Sequence, residues 1–99
     1  MVVVLSRFRV VGDMSNPTRD AFRARPHRVE DAPGFLRLEV LSPRDQPDEF
    51  WLLTYWTDEE SFRVWHRSHD YKESHRGMPK GLKVVPGSVS IRVLEHVAD

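Results

Sequence analysis

The sequence contains four segments whose hydrophobic pattern is typical of β-strands. The first and third are rich in β-branched or aromatic residues and are apolar at consecutive positions. The second and fourth alternate between apolar and polar side chains, so that Leu36, Leu38 and Val40 occupy one face of the second strand while Phe35 and Arg37 occupy the other. The predicted strands are Val2 to Val11, Phe35 to Leu41, Phe50 to Trp56 and Val89 to Val97.

Two helical regions are predicted between these strands. Asn16 followed by Pro17 is typical of a helix start, because asparagine caps the first free N–H groups and proline tolerates the first helical position. Pro26 interrupts the helical pattern that follows and predicts a kink or a break. The second helix is predicted to begin at a capping box, in which Thr57 and the glutamate three residues later satisfy the first N–H groups. Ser68 is a candidate cap for a further helical piece.

The order strand, helix, strand, strand, helix, strand is the split βαβ pattern of ferredoxin-like α+β domains. It predicts a four-stranded antiparallel sheet with both helices on one face. The other face of such a sheet should be polar in a monomer, yet the first and third strands are apolar on both faces. A homodimer that buries sheet against sheet explains this pattern. The alternative is that helices or loops of the same chain cover the second face, for which 99 residues leave little material.

Length and composition agree with a single domain over residues 1–99. The 15 basic and 15 acidic residues balance, which argues against a nucleic-acid binder and against a polybasic membrane anchor. The absence of cysteine excludes disulfides, thiolate metal sites and a cysteine nucleophile. The apolar start of the chain is too short for a signal peptide, and no apolar run approaches the roughly 18 residues of a membrane span. A soluble cytoplasmic protein is therefore expected.

Aromatic and histidine side chains concentrate in one part of the chain. Seven of the ten aromatic residues lie between Phe50 and Tyr71, and three of the five histidines lie between His66 and His75. The sequence has neither a glycine-rich phosphate loop nor a GxSxG nucleophile motif. The second helical region is therefore the place to look for chemistry.

One hypothesis for this region is a metal site. His66 and His69 are spaced to hold one metal ion on a continuous helix, with Asp70 or Glu73 as an acidic third ligand. Exposed histidines at this spacing are common, so the pattern is a weak indication. The acidic run that begins at Asp58 is accounted for by helix capping.

Trp65 and His75 are the more informative pair. A tryptophan three residues after Phe62 belongs to a helix core more often than to a site. On a continuous helix the ten residues from Trp65 to His75 would leave the two side chains about 80° apart. A break near Ser68 removes that constraint and allows a pocket between the helical pieces and the sheet. Tyr71 and His75, four residues apart, share a helix face.

The stretch from Thr54 to Trp65, followed by Ser68, Tyr71 and His75, resembles the signature of the antibiotic-biosynthesis-monooxygenase domains. A strand ends in a tryptophan, and an acidic helix start, an aromatic residue, a second tryptophan and a downstream histidine follow. Val29 to Phe35 is similar to the passage from first helix to second strand in that family. The similarity covers nearly the whole chain. The histidine ten residues after the tryptophan resembles, more selectively, the haem-degrading monooxygenases of the family.

The resemblance implies a ferredoxin-like protomer that dimerises through its sheets into a β-barrel. It implies oxidative opening of the haem ring with O₂ and electrons from an unidentified donor, with haem as both substrate and cofactor. His75 is then expected to bind the haem iron, Trp65 to press on the porphyrin, and Arg25 and Tyr71 to contribute to haem binding. Ser6 stands where haem degraders of this kind carry an asparagine, and its hydroxyl can donate a hydrogen bond over a shorter reach.

Two other functions are compatible with the sequence. A cofactor-free monooxygenase of the same family, which oxidises an aromatic polyketide to a quinone, would use the tryptophan and polar pocket residues but no iron ligand. A non-catalytic dimeric binding protein would use Trp65 only as core. Addition of haem separates the first function from the other two.

Overall fold

The computed structural model describes residues 1–25, 28–68 and 83–99. Their element order is the predicted one, with two short 3₁₀ helices added, at Gly12–Met14 and Val29–Asp31. The strands are β1 (Val2–Arg9), β2 (Phe35–Leu41), β3 (Glu49–Trp56) and β4 (Ser90–Glu95), and the helices are α1 (Ser15–Arg23) and α2 (Glu59–His66). Within the described ranges, no helix is long and apolar enough to cross a membrane.

The four strands form one sheet in the order β2-β3-β1-β4, and every neighbouring pair is antiparallel. This is the ferredoxin-like α+β arrangement that the element order predicts. β1 is a central strand, and its Val2 lies opposite Trp56 of β3 and Glu95 of β4. The sheet of one chain is open, so the predicted β-barrel would require a second copy.

Two apolar clusters attach the helices to the same face of the sheet. Trp65 of α2 packs with Val4, Val29 and Trp56. Phe22 of α1 packs on a pair of opposed phenylalanines, with ring centroids 6.3 Å from Phe8 and 5.8 Å from Phe50. Burial of each large apolar side chain contributes roughly 1.5–3 kcal/mol to folding. The two clusters therefore determine where each helix lies on the sheet.

The predicted face of Phe35 is wrong. Its ring packs edge-on against Trp56 at 5.5 Å and shares the helix-side core with Leu38. The register of β2 against β3 shifts between Phe35 and Arg37, so that Leu36 is an extra residue between them. A bulge of this kind moves the preceding side chain to the opposite face of the sheet.

The start of α1 also differs from the prediction. α1 begins at Ser15 after Met14, which makes no side-chain capping hydrogen bond, so Asn16 is the second helical residue rather than the cap. The 3₁₀ helix at Gly12–Met14 runs directly into α1 and supplies the first turn. Thr18 donates from its hydroxyl to the carbonyl of Met14 at 2.6 Å. α1 ends at Arg23, and the kink predicted at the proline three residues later lies outside the described residues.

α2 is capped by Asp58, one residue after the predicted Thr57. The Asp58 carboxylate accepts from the backbone N–H of Ser61 at 2.8 Å, and this hydrogen bond lowers the pKa of Asp58. Asp58 is the residue with extended backbone angles, and its negative charge suits the positive end of the helix dipole. The helical piece predicted after Ser68 lies outside the described residues.

The first and last predicted strands along the chain are shorter in the structure. β1 ends at Arg9, because Val10 forms an isolated bridge with Val84 instead of continuing the ladder. β4 covers Ser90–Glu95, inside the predicted range. The predicted positions of the strands are therefore confirmed, with ends that shift by one or two residues.

Candidate functional site

Trp65 is brought onto the sheet by α2. Its side chain is 8% exposed and packs with Val4, Val29 and Trp56. Phe62, one turn earlier, places its ring edge-on against Trp56 at 5.9 Å. The predicted core spacing is therefore confirmed, and Trp65 is almost wholly buried.

Ser6 lies on the same face of the sheet as the Trp65 cluster. It sits on β1 between Val4, which contacts that cluster, and Phe8, which contacts α1. Its neighbours across the sheet are Leu52 on β3 and Ile91 on β4. The Ser6 side chain is half-buried, and its hydroxyl has no hydrogen-bond partner in the described part of the chain. A hydroxyl in this position is available to a ligand.

Apolar side chains of β4 extend the surface around Ser6. Ile91 lies opposite Ser6 and Val93 lies opposite Val4, so both face the helix side of the sheet. They are nevertheless 48% and 40% exposed. Ser6 therefore lies at the edge of an accessible apolar surface, which can support a flat hydrophobic ligand. Alternation along the sequence places these two residues on one face, but it does not predict their exposure.

Arg25 follows the end of α1 and is engaged by an acid of its own chain. Its guanidinium donates to both carboxylate oxygens of Glu30, at 3.2 and 2.8 Å. Glu30 belongs to the 3₁₀ helix that also supplies Val29 to the Trp65 cluster. This bidentate pair fixes the guanidinium beside the helix-side core. Arg25 and Glu30 are five residues apart, which is not the spacing of a helical ion pair. The sequence pattern therefore does not predict that they pair.

Of the remaining predicted site residues, only His66 lies within the described ranges. His75 and Tyr71 lie outside the described residues, as do His69, Asp70 and Glu73 of the alternative metal site. His66 is half-buried on α2, with its ring 5.4 Å from that of Phe62. Within the described ranges, no three side chains of histidine, cysteine, aspartate or glutamate type gather into a group that could hold a metal ion.

The first of three comparisons with known proteins concerns the family. The sequence profile of the antibiotic biosynthesis monooxygenase family matches residues 1–77. The chain belongs to this family. The resemblance seen in the sequence is therefore confirmed, and it covers the sheet strands β1 to β3, both helices and Ser6, Arg25 and Trp65.

Curated relatives of this family member are named for haem degradation. The chain is 30% identical over 64 residues to a heme oxygenase (mycobilin-producing) of Mycobacterium tuberculosis, which is 65% of this chain and 61% of that protein. It is 32% identical over 84 residues to a heme-degrading monooxygenase of Bacillus thuringiensis, with coverage of 80% and 78%. The match to the mycobacterial relative thus spans less than two thirds of that protein's length.

Solved structures confirm the fold. The heme-degrader MhuD from Mycobacterium tuberculosis, with two hemes bound in its active site, superposes with a TM-score of 0.81 at 25% identity, over 100% of this chain and 98% of that chain. SnoaB, a cofactor-independent oxygenase from Streptomyces nogalater, gives 0.76 at 19% identity, over 99% and 94%. Because haem degraders and cofactor-independent oxygenases share this fold, the fold does not separate the two functions.

Proposed function

We propose that this chain is a haem-degrading monooxygenase that opens the haem ring with O₂ and electrons from a separate donor. The observation that carries the proposal is the hydroxyl of Ser6, which has no partner among the described residues. It lies at the edge of the exposed apolar surface of Ile91 and Val93, on the Trp65 side of the sheet. A porphyrin is flat and largely apolar, and this surface suits it. The family and the names of the curated relatives give independent support.

Each residue of the proposed site has a role that follows from its chemistry. Haem, when bound, supplies the oxygen chemistry. A neutral imidazole nitrogen of His75 would hold the iron, and the hydroxyl of Ser6 would donate a hydrogen bond to the bound ligand. Trp65 would border the bound haem, and the apolar surface of Ile91 and Val93 would exclude water from it. Arg25 and Tyr71 would contact parts of the haem away from the iron. Glu30 holds the Arg25 guanidinium in position.

Haem addition tests the proposal directly. The purified chain is expected to acquire a sharp Soret band that survives gel filtration, and to lose that band under air with ascorbate. A folded chain that acquires no stable band contradicts haem binding. It would favour a cofactor-free oxygenase or a non-catalytic binding protein, and turnover of an aromatic polyketide would separate those two.

The iron ligand can be identified by substitution. His75→Ala is expected to weaken haem binding by at least about tenfold, because the iron loses its protein ligand. His66→Ala and His69→Ala serve as matched controls and are expected to keep the wild-type affinity. Haem titration followed by the Soret band measures all three. Wild-type spectrum and affinity in His75→Ala would show that another residue holds the iron.

The second face of the sheet supports a homodimer. Leu5 of β1 lies opposite Leu53 of β3 at its centre. Arginines lie across two aromatic rings of this face, with Arg37 4.9 Å from the centroid of Tyr55. A hydrogen bond to Glu39, and then burial, raise the pKa of Tyr55. These contacts cover only part of the apolar surface, and a second copy would cover the rest.

Light scattering after gel filtration is expected to give twice the chain mass of 11.6 kDa. Leu53→Arg, which places a charge at the centre of the second face, is expected to yield a folded monomer. Val64→Arg is the matched control, because Val64 is exposed on α2, on the opposite side of the sheet. A wild-type monomer at micromolar concentration, or a Leu53→Arg dimer, would contradict this interface.

A further inference from the structure

A small cavity lies between α1 and the β2–β3 hairpin, away from the proposed haem site. Its volume is about 160 Å³. Ligand pockets for larger molecules measure about 300–1,000 Å³, whereas a cavity of about 150 Å³ holds one benzene ring. It is lined by residues of α1, β2 and β3, whereas Ser6 and Ile91 lie on β1 and β4, toward the other edge of the sheet. The cavity is therefore a separate site with room for one aromatic ring.

One part of the cavity wall is apolar and partly aromatic. Phe22 of α1 and Phe50 of β3 contribute two rings whose centroids are 5.8 Å apart, and Val40 of β2 lines the cavity beside them. Aromatic side chains in such tilted arrangements favour a further ring in edge-on or offset contact. The walls thus select a ring rather than a hydrated ion.

Arg19 brings a positive charge to this cavity. Its Nη2 donates to the hydroxyl of Ser42 at 3.2 Å and to the carbonyl of Pro47 at 2.9 Å. The guanidinium also lies 5.4 Å from the centroid of Phe50. Among the described residues, no carboxylate lies within ion-pair distance of Arg19. Three neutral contacts therefore fix the guanidinium while its charge stays uncompensated.

A second guanidinium lines the same cavity one helical turn away. Arg23 is paired only weakly with Asp20, at 3.8 Å, and both side chains are more than three-quarters exposed. Exposed pairs of this kind contribute little and exchange readily. Two guanidinium groups therefore line this cavity.

We propose that this cavity binds a small aromatic carboxylate with a single ring. The ring lies against Phe22 and Val40, with the buried Phe50 completing the cavity wall, and the carboxylate accepts hydrogen bonds from Nη1 of Arg19. Both donors of that nitrogen lack a partner in the described part of the chain. A charge-assisted bond of this kind is about twice as strong as a neutral one. The inference does not depend on the proposed haem chemistry.

Benzoate is the probe, and benzamide is its neutral counterpart of the same shape. Benzoate is expected to bind with a dissociation constant of about 0.1–1 mM, and benzamide about tenfold more weakly. Backbone amide NMR shifts on titration should centre on Phe22, Val40 and Phe50. Equal affinity for the two probes, or shifts centred on Ser6 and Ile91, would overturn the proposal.

Variants test which residue recognises the carboxylate. Arg19→Gln is expected to weaken benzoate about tenfold and to leave benzamide unchanged. Arg44→Gln removes the same charge from the exposed β2–β3 hairpin and is expected to bind as the wild type. Val40→Phe fills the cavity and is expected to abolish binding of both probes, with a thermal melt as the check on folding. Wild-type benzoate binding in either Arg19→Gln or Val40→Phe would overturn the assignment.

Discussion

Gly34→Ala is expected to lower the free energy of unfolding by about 2–4 kcal/mol. Gly34 precedes β2 with a φ of +83°, a conformation that side-chain-bearing residues rarely adopt. An added Cβ would lie 2.5 Å from Cβ of Ser61 and 2.8 Å from Oγ1 of Thr57, at the start of α2. The Gly34 carbonyl also accepts from the Thr57 N–H at 2.8 Å, so the turn and the helix start cannot separate freely.

Gly12→Ala is the matched control for this prediction. Gly12 also has a positive φ, +60°, but an added Cβ there has no neighbour within 4 Å. It should therefore report only the backbone strain, about 1–2 kcal/mol. Urea unfolding measures the loss of unfolding free energy in both variants. The difference between the two losses is the cost of the contact between the added methyl group and α2. Equal losses would show that α2 yields to the added methyl group.

The sheet was predictable because its signal is local. Each strand carries its own alternation or apolar run, and the element order then leaves the ferredoxin-like topology as the simple solution. Two details of the fold were not predictable because no local signal in the sequence specifies them. The extra residue Leu36 has no local signal, and it reverses the face of Phe35. Thr57 and Asp58 are both capable caps, and only the backbone angles at Asp58 decide between them.

The site was less predictable because its residues meet through tertiary contacts. The spacing of Phe62 and Trp65 predicted that Trp65 is buried, and the family resemblance singled out Ser6. The pairing of Arg25 with Glu30 depends on how the chain turns after α1. The exposure of the β4 side chains, like the Arg19 cavity, depends on what packs over the sheet rather than on any pattern along the chain. The roles of His75 and Tyr71 stay predictions.

Trp65→Ala is expected to cost about 3–5 kcal/mol of stability, a large share of the total for a small domain. The indole packs with Val4, Val29 and Trp56, and its removal leaves a cavity in this cluster. Val64→Ala is the matched control on the same helix, because Val64 is 50% exposed. It is expected to change stability by less than about 0.5 kcal/mol. Thermal or urea unfolding measures the stability of both variants. Similar losses would show that Trp65 contributes no more to stability than an exposed residue does.

Trp65→Phe separates a structural role from a catalytic one. A phenyl ring keeps most of the buried contact, so the variant is expected to fold and to bind haem. If Trp65 presses on the porphyrin as proposed, the smaller ring presses less, and haem degradation is expected to slow about tenfold, or ~1.4 kcal/mol in activation free energy. Haem affinity, melting temperature and Soret decay with ascorbate under air should be measured on one preparation. A loss of stability alone does not slow haem degradation in a variant that stays folded and haem-bound at the assay temperature. An unchanged decay rate beside a lowered melting temperature would show that Trp65 has a structural role only. Other residues would then have to shape the haem-binding surface.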